Sequence, residues 1–185
     1  MNANIKKIAR WITFVLRHEP EQINIKLNRR DTAKIIDKNG YVLINDILEA
    51  AEITLEDLKD IVKSDNKMRF SFSIDKLKIR ANQGHSTKLV NLELIPQIPP
   101  NILYHGTAKK FLVSIKIDGL KSMSRQHVHL SDNVATATQV GSRHGEVILL
   151  KIDCKKMVED GVVFFLSENK VWLTNKVLPK YLLNL

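Results

Sequence analysis

The sequence predicts an α+β fold in two lobes, a helical N-terminal lobe that ends in a β-hairpin and a β-rich C-terminal lobe. Apolar residues recur at helical spacing in the first third of the chain, whereas short apolar runs typical of strands dominate after residue 100. Between these regions lies Pro96-Gln97-Ile98-Pro99-Pro100, which favours extended backbone and resists helix. We therefore assign residues 1–95 to the first lobe and residues 96–185 to the second.

The first lobe is predicted to begin with an amphipathic helix. Ile5, Ile8, Ile12 and Val15 recur at helical spacing, and the pattern stops at Pro20. This spacing places the four apolar side chains on one face, and the proline ends the helix.

Two further helices and a hairpin are predicted to complete this lobe. Asn45 is positioned to cap one helix, and Thr54-Leu55-Glu56-Asp57 has the form of a capping box that opens another. Apolar residues then alternate over 70–74 and again over 77–79, with a turn between them. If Leu77 and the residue two positions later face the core, Arg80 points the other way. Helices followed by a two-stranded wing on a basic background indicate a winged-helix lobe.

The second lobe is predicted to be rich in short strands separated by a few short helices, one of which ends at Gly119. The predicted strands are Leu103-Tyr104, His127 to Leu130, Val147 to Ile152, Val162 to Leu166, and Val171 to Leu173.

The composition limits the partners and the location of the protein. The formal net charge of +9 over 185 residues predicts a surface that attracts polyanions, nucleic acid first. The absence of a long apolar run or a secretion signal argues against a membrane partner. A single cysteine, Cys154, excludes an intramolecular disulfide and a cysteine-rich zinc site. We therefore expect a cytoplasmic protein.

Two polar strings in the first lobe contain residues suited to binding phosphate. Arg17 and His18 follow the first helix, where they would also complement the negative end of the helix dipole. The string Arg80-Ala81-Asn82-Gln83-Gly84-His85-Ser86 contains a glycine, as expected where backbone approaches a ligand. An ordinary solvated loop is the alternative for this string.

Three more polar strings lie in the second lobe: Tyr104-His105-Gly106-Thr107, Met123 to Ser131, and Gly141-Ser142-Arg143-His144-Gly145. A structural histidine and a simple helix cap at Ser131 are the alternatives for the first two strings. His127 and His129 share one face of a strand, yet no third metal ligand is evident, so we expect no metal.

Together the strings LRHEP, RANQGHS, LYHGT, MSRQHVHLS, GSRHG and VWLT resemble the RNA 2′-phosphotransferase family, also called tRNA 2′-phosphotransferases. The resemblance runs in the family's order from Ile8 to Leu182. It implies a winged-helix lobe followed by an ADP-ribosyltransferase-like lobe. It also implies that NAD is consumed as a co-substrate and that the other partner is RNA bearing a 2′-phosphate.

The resemblance implies a two-step reaction. The RNA 2′-phosphate attacks C1″ of the nicotinamide ribose and expels nicotinamide, which leaves an ADP-ribosylated 2′-phosphate. The ribose 2″-hydroxyl then attacks that phosphate and releases 2′-hydroxyl RNA and ADP-ribose 1″,2″-cyclic phosphate. The family's catalytic residues correspond to Arg17, His18, Arg80 and Arg125. We expect the first three to bind the 2′-phosphate and Arg125 to stabilise transition-state charge in the second step.

The same resemblance places NAD in the second lobe. The implied NAD-binding residues are His105, Gly106, Thr107, His129, Ser131 and Arg143. The only E-x-E string, Glu19-Pro20-Glu21, lies in the other lobe. A catalytic glutamate is not required when the acceptor is an ionised phosphate.

Two alternatives remain open at the level of sequence. An ADP-ribosyltransferase that modifies nucleic-acid phosphate ends and stops there would use the same NAD-binding residues. A non-enzymatic winged-helix nucleic-acid-binding protein would have the same charge. We expect a monomer, and a role in tRNA splicing where the source leaves a 2′-phosphate at the splice junction.

Overall fold

The helices and antiparallel sheets of the chain form an α+β structure in two compact units. The computed structural model describes residues 3–29 and 35–183. The units comprise residues 1–93 and 94–185. The division falls just before the proline-rich segment at which the sequence predicts the lobe boundary. Within the described ranges, no helix has the length and apolar character needed to cross a bilayer.

The first unit combines four helices with a three-stranded antiparallel sheet among its described residues. Its elements are α1 (Ala3–Arg17), α2 (Glu21–Lys26), β1 (Tyr41–Leu43), α3 (Ile44–Ala51), α4 (Leu55–Lys63), β2 (Phe70–Phe72) and β3 (Lys78–Ala81). The strand order is β1-β3-β2. The predicted first helix is confirmed, and Ile12, Val15 and Leu16 are wholly buried on its inner face.

The predicted capping box at the start of α4 is confirmed, whereas the predicted cap of α3 is wrong. The hydroxyl of Thr54 accepts the backbone N–H of Asp57 at 3.1 Å, and the backbone N–H of Thr54 donates to the Asp57 carboxylate at 3.0 Å. Helix α3 begins one residue before Asn45, because β1 continues directly into it without a turn. The cap position is Leu43, and Asn45 lies exposed in the first turn.

Strands β2 and β3 form the predicted hairpin, but its apolar alternation does not reach the tip. Phe72 pairs with Ile79, and Phe70 pairs with Ala81. Ile79 and Ala81 are wholly buried, whereas Leu77 is exposed. The register still places Arg80 on the face opposite the core, because successive side chains of a strand point to opposite faces.

The second unit has more strands than the first. Its elements are β4 (Ile102–Ala108), α5 (Leu112–Asp118), β5 (Leu120–Lys121), β6 (Val128–Leu130), α6 (Val134–Gly141), β7 (Val147–Asp153), α7 (Cys154–Glu159), β8 (Phe164–Leu166), β9 (Trp172–Thr174) and β10 (Lys176–Val177). Strand β4 pairs with β7, β6 and β8 flank β9, and β5 pairs with β10, all antiparallel. Each of the five predicted strands matches one of these, and α5 ends before Gly119 as predicted.

Two glycines allow α6 to pack directly on β4. A Cβ atom on Gly106 would lie 1.8 Å from the carbonyl oxygen of Ala137, and one on Gly141 would lie 2.6 Å from the carbonyl carbon of Gly106. Both clashes are with backbone atoms, which cannot rotate away as a flexible side chain can. Glycine is therefore required at both positions for this helix to approach the sheet.

We predict that Gly106→Ala destabilises the protein by about 3 kcal/mol, because the methyl group forces α6 away from β4. Urea unfolding of the variant and the wild type measures the loss. Gly161→Ala is the matched control, since a Cβ atom there meets nothing within 4 Å and the positive φ of +82° is the only strain. That control should cost about 1 kcal/mol. Equal losses in the two variants would contradict the packing argument.

Candidate functional site

The C-terminal end of α1 is bound to the loop that follows β3. The carbonyl oxygen of Arg17 accepts the backbone N–H groups of Ser86 at 2.9 Å and Thr87 at 3.4 Å. These bonds satisfy a carbonyl that lacks an intrahelical partner at the end of a helix. They also bring His18 to this loop, where its Nδ1 lies at hydrogen-bonding distance, 2.9 Å, from the Ser86 hydroxyl oxygen.

The Arg17 side chain packs against the backbone of Gly84. A Cβ atom on Gly84 would lie 3.4 Å from the guanidinium carbon of Arg17. The φ of Gly84 is +90°, a conformation that favours glycine. Glycine therefore provides the turn beside which the guanidinium packs, and Arg17 is only 8% exposed.

Arg80 is held on the outer face of β3 by the neighbouring strand and turn. Its guanidinium carbon lies 4.7 Å from the centroid of the Tyr41 ring, a cation–π contact. Its Nη1 donates to the carbonyl oxygen of Asn39 at 3.4 Å. These contacts limit the rotamers of a long side chain and so preorganise its guanidinium group.

His85 lies at the centre of this cluster, with 1% of its surface exposed. Burial lowers the pKa of His85 to about 4, and the positive charges of Arg17, His18 and Arg80 add to this effect. The imidazole is therefore neutral at pH 7. Its Nε2 lies against Gly40, where a Cβ atom would be 3.3 Å away.

Several buried polar atoms around this cluster have no hydrogen-bond partner among the residues that the structure describes. They are the side-chain oxygens of Asn39 and Gln83 and both ring nitrogens of His85. Such atoms are rare in folded proteins and are explained at functional sites by a bound ligand or water. The N–H groups of the arginines and histidines in this arrangement suit a phosphate group, which offers several acceptor oxygens and a double negative charge.

The structure brings together Arg17, His18 and Arg80 and adds His85 and Ser86, for which no role was predicted. Both added residues belong to the string RANQGHS, but the strand alternation that places Arg80 ends at Ala81. Asn82 in the same string is structural. Its amide nitrogen donates to the Met68 carbonyl at 2.7 Å, and its amide oxygen accepts the Ser71 hydroxyl at 2.6 Å.

In the second unit, β4 and the end of β6 bring two of the predicted histidines together. The backbones of Tyr104 and Ser131 exchange hydrogen bonds of 2.7 and 2.9 Å. Next to this pair, Nδ1 of His105 lies 3.0 Å from the carbonyl oxygen of His129. A carbonyl can only accept, so Nδ1 carries the proton and Nε2 keeps a lone pair. Burial lowers the pKa of His105, so this ring is neutral at pH 7.

Arg125 is bound to the His129 side chain. Nη1 of Arg125 lies 2.7 Å from Nδ1 of His129. A guanidinium group can only donate, so Nδ1 of His129 is the acceptor and its Nε2 carries the proton. The contact fixes both the tautomer of the histidine and the position of an arginine that lies in a surface turn before β6.

Two other predicted NAD-binding residues of this unit, Thr107 and Ser131, differ in their surroundings. Thr107 is buried on β4, beside the glycine that packs against α6. The hydroxyl of Ser131 accepts the backbone N–H of Asn133 at 3.1 Å. Ser131 is not the cap of α6, since the side chain of Asn133 accepts the backbone N–H of Thr136 at 2.9 Å in that role.

The contacts of Arg143 and His127 do not involve the pair formed by His105 and His129. Arg143 is exposed on the turn Ser142–His144 after α6, with no hydrogen bond to the other predicted NAD-binding residues in the described part of the chain. The ring of His127 packs edge-on to Phe165, with centroids 5.6 Å apart. Among the described residues, no three His, Cys, Asp or Glu side chains gather as a metal site requires.

Both units hold arginine and histidine side chains at helix ends, strands and turns, which defines a class of protein with basic sites on an ordered framework. Residues 3–176 match the sequence model of the family described as "RNA 2'-phosphotransferase, Tpt1 / KptA family". Proteins described as probable RNA 2′-phosphotransferases share 50% identity in Fusobacterium nucleatum, 45% in Flavobacterium johnsoniae and 41% in Acaryochloris marina. These alignments cover 97–98% of this chain and 97–98% of each relative. The chain belongs to the RNA 2′-phosphotransferase family.

The lowered pKa of His85 generates a prediction about stability and pH. The folded pKa of about 4 lies below the unfolded value of 6.5, so the unfolded chain binds more protons between these pH values. Stability therefore falls as the pH falls through this window. We expect His85 to contribute a loss of about 2 kcal/mol between pH 7 and pH 5.

Urea unfolding at both pH values compares the wild type with His85→Gln, which should lose about 2 kcal/mol less than the wild type over this interval. His144→Gln, at an exposed position, is the matched control and should behave like the wild type. A His85→Gln variant as sensitive to pH as the wild type would refute the assignment.

Proposed function

We propose that the protein is an NAD-dependent enzyme that removes an internal 2′-phosphate from RNA through an ADP-ribosylated 2′-phosphate. The observation that carries this proposal is the cluster of Arg17, His18 and Arg80 around the neutral His85. Membership of the RNA 2′-phosphotransferase family supplies the reaction class. The products are 2′-hydroxyl RNA, nicotinamide and ADP-ribose 1″,2″-cyclic phosphate.

The first unit holds the 2′-phosphate in this proposal. The guanidinium groups of Arg17 and Arg80 can each donate two parallel hydrogen bonds to phosphate oxygens. His18 has its Nδ1 directed to Ser86, so Nε2 is the nitrogen that binds the phosphate or carries a proton. Since the 2′-phosphate is already an anion, the first step needs orientation rather than a general base.

In the first step, a 2′-phosphate oxygen forms a bond to C1″ of the ribose while the bond from C1″ to nicotinamide breaks. In the second step, the 2″-hydroxyl oxygen bonds to phosphorus, its proton leaves, and the RNA 2′-oxygen departs and takes up a proton. Negative charge builds on the phosphate oxygens in this second step. Arg125, held by His129, stabilises that charge.

The polar groups of the second unit fit the ribose of NAD. His105 is neutral and presents Nε2 as an acceptor, whereas the proton of His129 is on Nε2 and makes it a donor. Ribose hydroxyl groups both donate and accept, so this combination matches them. We propose His105, Gly106, Thr107, His129 and Ser131 as the NAD-binding residues of this unit, with Arg143 on the neighbouring turn. NAD supplies an electrophilic ribose carbon and a neutral leaving group.

We infer that residues 1–95 form a winged-helix lobe that binds the RNA 2′-phosphate and residues 96–185 an ADP-ribosyltransferase-like lobe that binds NAD. Support for the first comes from the helices followed by the β2–β3 hairpin, which pairs with β1 as a wing does. A monomeric state, a cytoplasmic location and a tRNA splice-junction substrate stay predictions.

The proposed reaction predicts that nicotinamide is released from NAD only when a 2′-phosphorylated oligoribonucleotide is present. Nicotinamide and the cyclic phosphate product are measured by chromatography, with the same oligonucleotide lacking the 2′-phosphate as control. Arg80→Lys should lower kcat/KM by at least about tenfold, because lysine cannot bind phosphate through two parallel bonds. Nicotinamide release without the cyclic product would favour a simple ADP-ribosyltransferase, and intact RNA phosphate with no nicotinamide would favour a non-enzymatic binding protein.

A separate prediction concerns Arg125. Arg125→Ala should slow the second step more than the first, by about 100-fold, so the ADP-ribosylated RNA accumulates during a single turnover. Denaturing gels of radiolabelled RNA separate substrate, intermediate and product. Lys116→Ala, an exposed position in the same unit, is the matched control and should show wild-type kinetics. If Arg125→Ala slows both steps equally, the assignment of Arg125 to the second step is wrong.

A further inference from the structure

The outward face of α1 carries an aromatic and basic strip that leads to His18. At 100° per residue, Lys7, Arg10, Phe14 and His18 fall on one side of the helix axis, opposite the buried side chains of the inner face. Successive members are about one turn of 5.4 Å apart along the axis. We call these four residues the α1 strip.

The charged residues of α1 are not placed as a stable helix favours. The segment ANIKKIARWITFVLR contains four cationic residues and no Asp or Glu, and its first turn has no acidic residue. Cations near the N-terminus oppose the helix dipole, and no carboxylate within the helix pairs with them. Lys7 and Arg10 are both exposed, and neither forms an ion pair within the described part of the chain. A cost of this kind, which no described carboxylate compensates, points to a polyanionic partner.

Phe14 supplies the second observation. Its side chain is 38% exposed, and its ring centroid lies 5.6 Å from that of His18 at an interplanar angle of 47°. His18 in turn belongs to the cluster that suits a phosphate. An exposed aromatic ring one helical turn from a phosphate site is positioned to meet the base of a neighbouring nucleotide. Aromatic rings that alternate with cations are how proteins bind single-stranded nucleic acid.

We propose that the α1 strip binds the RNA strand beside the 2′-phosphate. Phe14 stacks on the base of the adjacent nucleotide, and Arg10 and Lys7 pair with the backbone phosphates beyond it. This proposal rests on the proposed function, because it takes the Arg17, His18 and Arg80 cluster as the site of the 2′-phosphate. It further specifies the substrate as a nucleotide chain with an unpaired base next to the modified one, rather than a phosphate ester of any kind.

The test is a double-mutant cycle in which one mutation is made in the RNA. Fluorescence anisotropy without NAD measures the Kd of a short 2′-phosphorylated oligoribonucleotide and of two analogues that lack the base on the 5′ or the 3′ side. We expect Phe14→Leu to weaken binding of the intact RNA about tenfold, with Phe14→Tyr close to wild type. Removal of one of the two bases should weaken wild-type binding by a similar factor and should have no further effect on Phe14→Leu.

A purely structural role of Phe14 gives a different result. If the ring only positions His18, Phe14→Leu weakens binding of the intact and abasic RNAs by the same factor, and the proposal is overturned. Steady-state kinetics add a second readout, since loss of stacking raises KM with little change in kcat. A fall in kcat alone would also contradict stacking. Circular dichroism checks that both Phe14 variants are folded.

The basic members of the α1 strip are tested by the salt dependence of binding. Lys7→Ala and Arg10→Ala should each reduce the slope of log K against log salt concentration by about 0.7, the value for one phosphate contact with a single strand. Lys59→Ala, an exposed position on α4, is the matched control and should leave the slope unchanged. If the slope is unchanged in all three variants, Lys7 and Arg10 do not contact the RNA backbone.

These measurements separate this proposal from the proposed function. Binding is measured without NAD, so the coupling between Phe14 and the base is detected whether or not the phosphate is transferred. If Phe14 and the base are coupled but the 2′-phosphate is not transferred, the proposal for the α1 strip stands and the proposed reaction is overturned. Turnover of the 2′-phosphate without coupling would retain the reaction and overturn the α1 strip.

Discussion

The carbonyl oxygen of Arg17 accepts two backbone hydrogen bonds from the loop after β3, and the cluster of Arg17, His18 and His85 in the first unit depends on them. They attach the end of α1 to residues 86 and 87, which are distant in sequence. As a consequence, Ser86 reaches His18, Gly84 lies under the Arg17 guanidinium, and His85 is enclosed. Without this attachment, the helix end and the loop would place their side chains independently, and the loop would be an ordinary solvated one.

Both units combine arginine with neutral imidazole, although their backbones differ. In the first, burial and adjacent cations keep His85 uncharged. In the second, burial lowers the pKa of His105, and a hydrogen bond from Arg125 fixes His129 as an acceptor at Nδ1. Fixed positive charge is thus provided by guanidinium groups, which stay protonated at all relevant pH values. The rings add directed hydrogen bonds without adding repulsion between like charges.

Local patterns in the sequence were enough to predict much of the fold and part of the candidate site. The spacing of apolar residues predicts α1, and the capping box predicts the start of α4, because both depend on neighbours within a few positions. The register of β3 likewise predicts the outward position of Arg80. The start of α3 was missed, since a strand that continues into a helix leaves no turn residues as a signal. His85 was missed because its burial comes from contacts with α1 and Gly40, which a local pattern does not contain.

Exposed and buried cationic side chains suit different purposes. Exposed ones suit long-range attraction of a polyanion, and buried ones suit the positioning of charge at a reacting group. Exposed cations such as Lys7 and Arg10 keep their hydration, act on polyanions over a distance set by salt, and define little geometry. Arg17 is the opposite case, since a guanidinium that is only 8% exposed has lost much of its hydration. In the proposed function, a bound phosphate would interact with this guanidinium more strongly than in water, because the local dielectric is low. In the proposed reaction, the main value of a buried arginine beside Gly84 would be preorganisation, because it would need no rearrangement when charge develops on the phosphate.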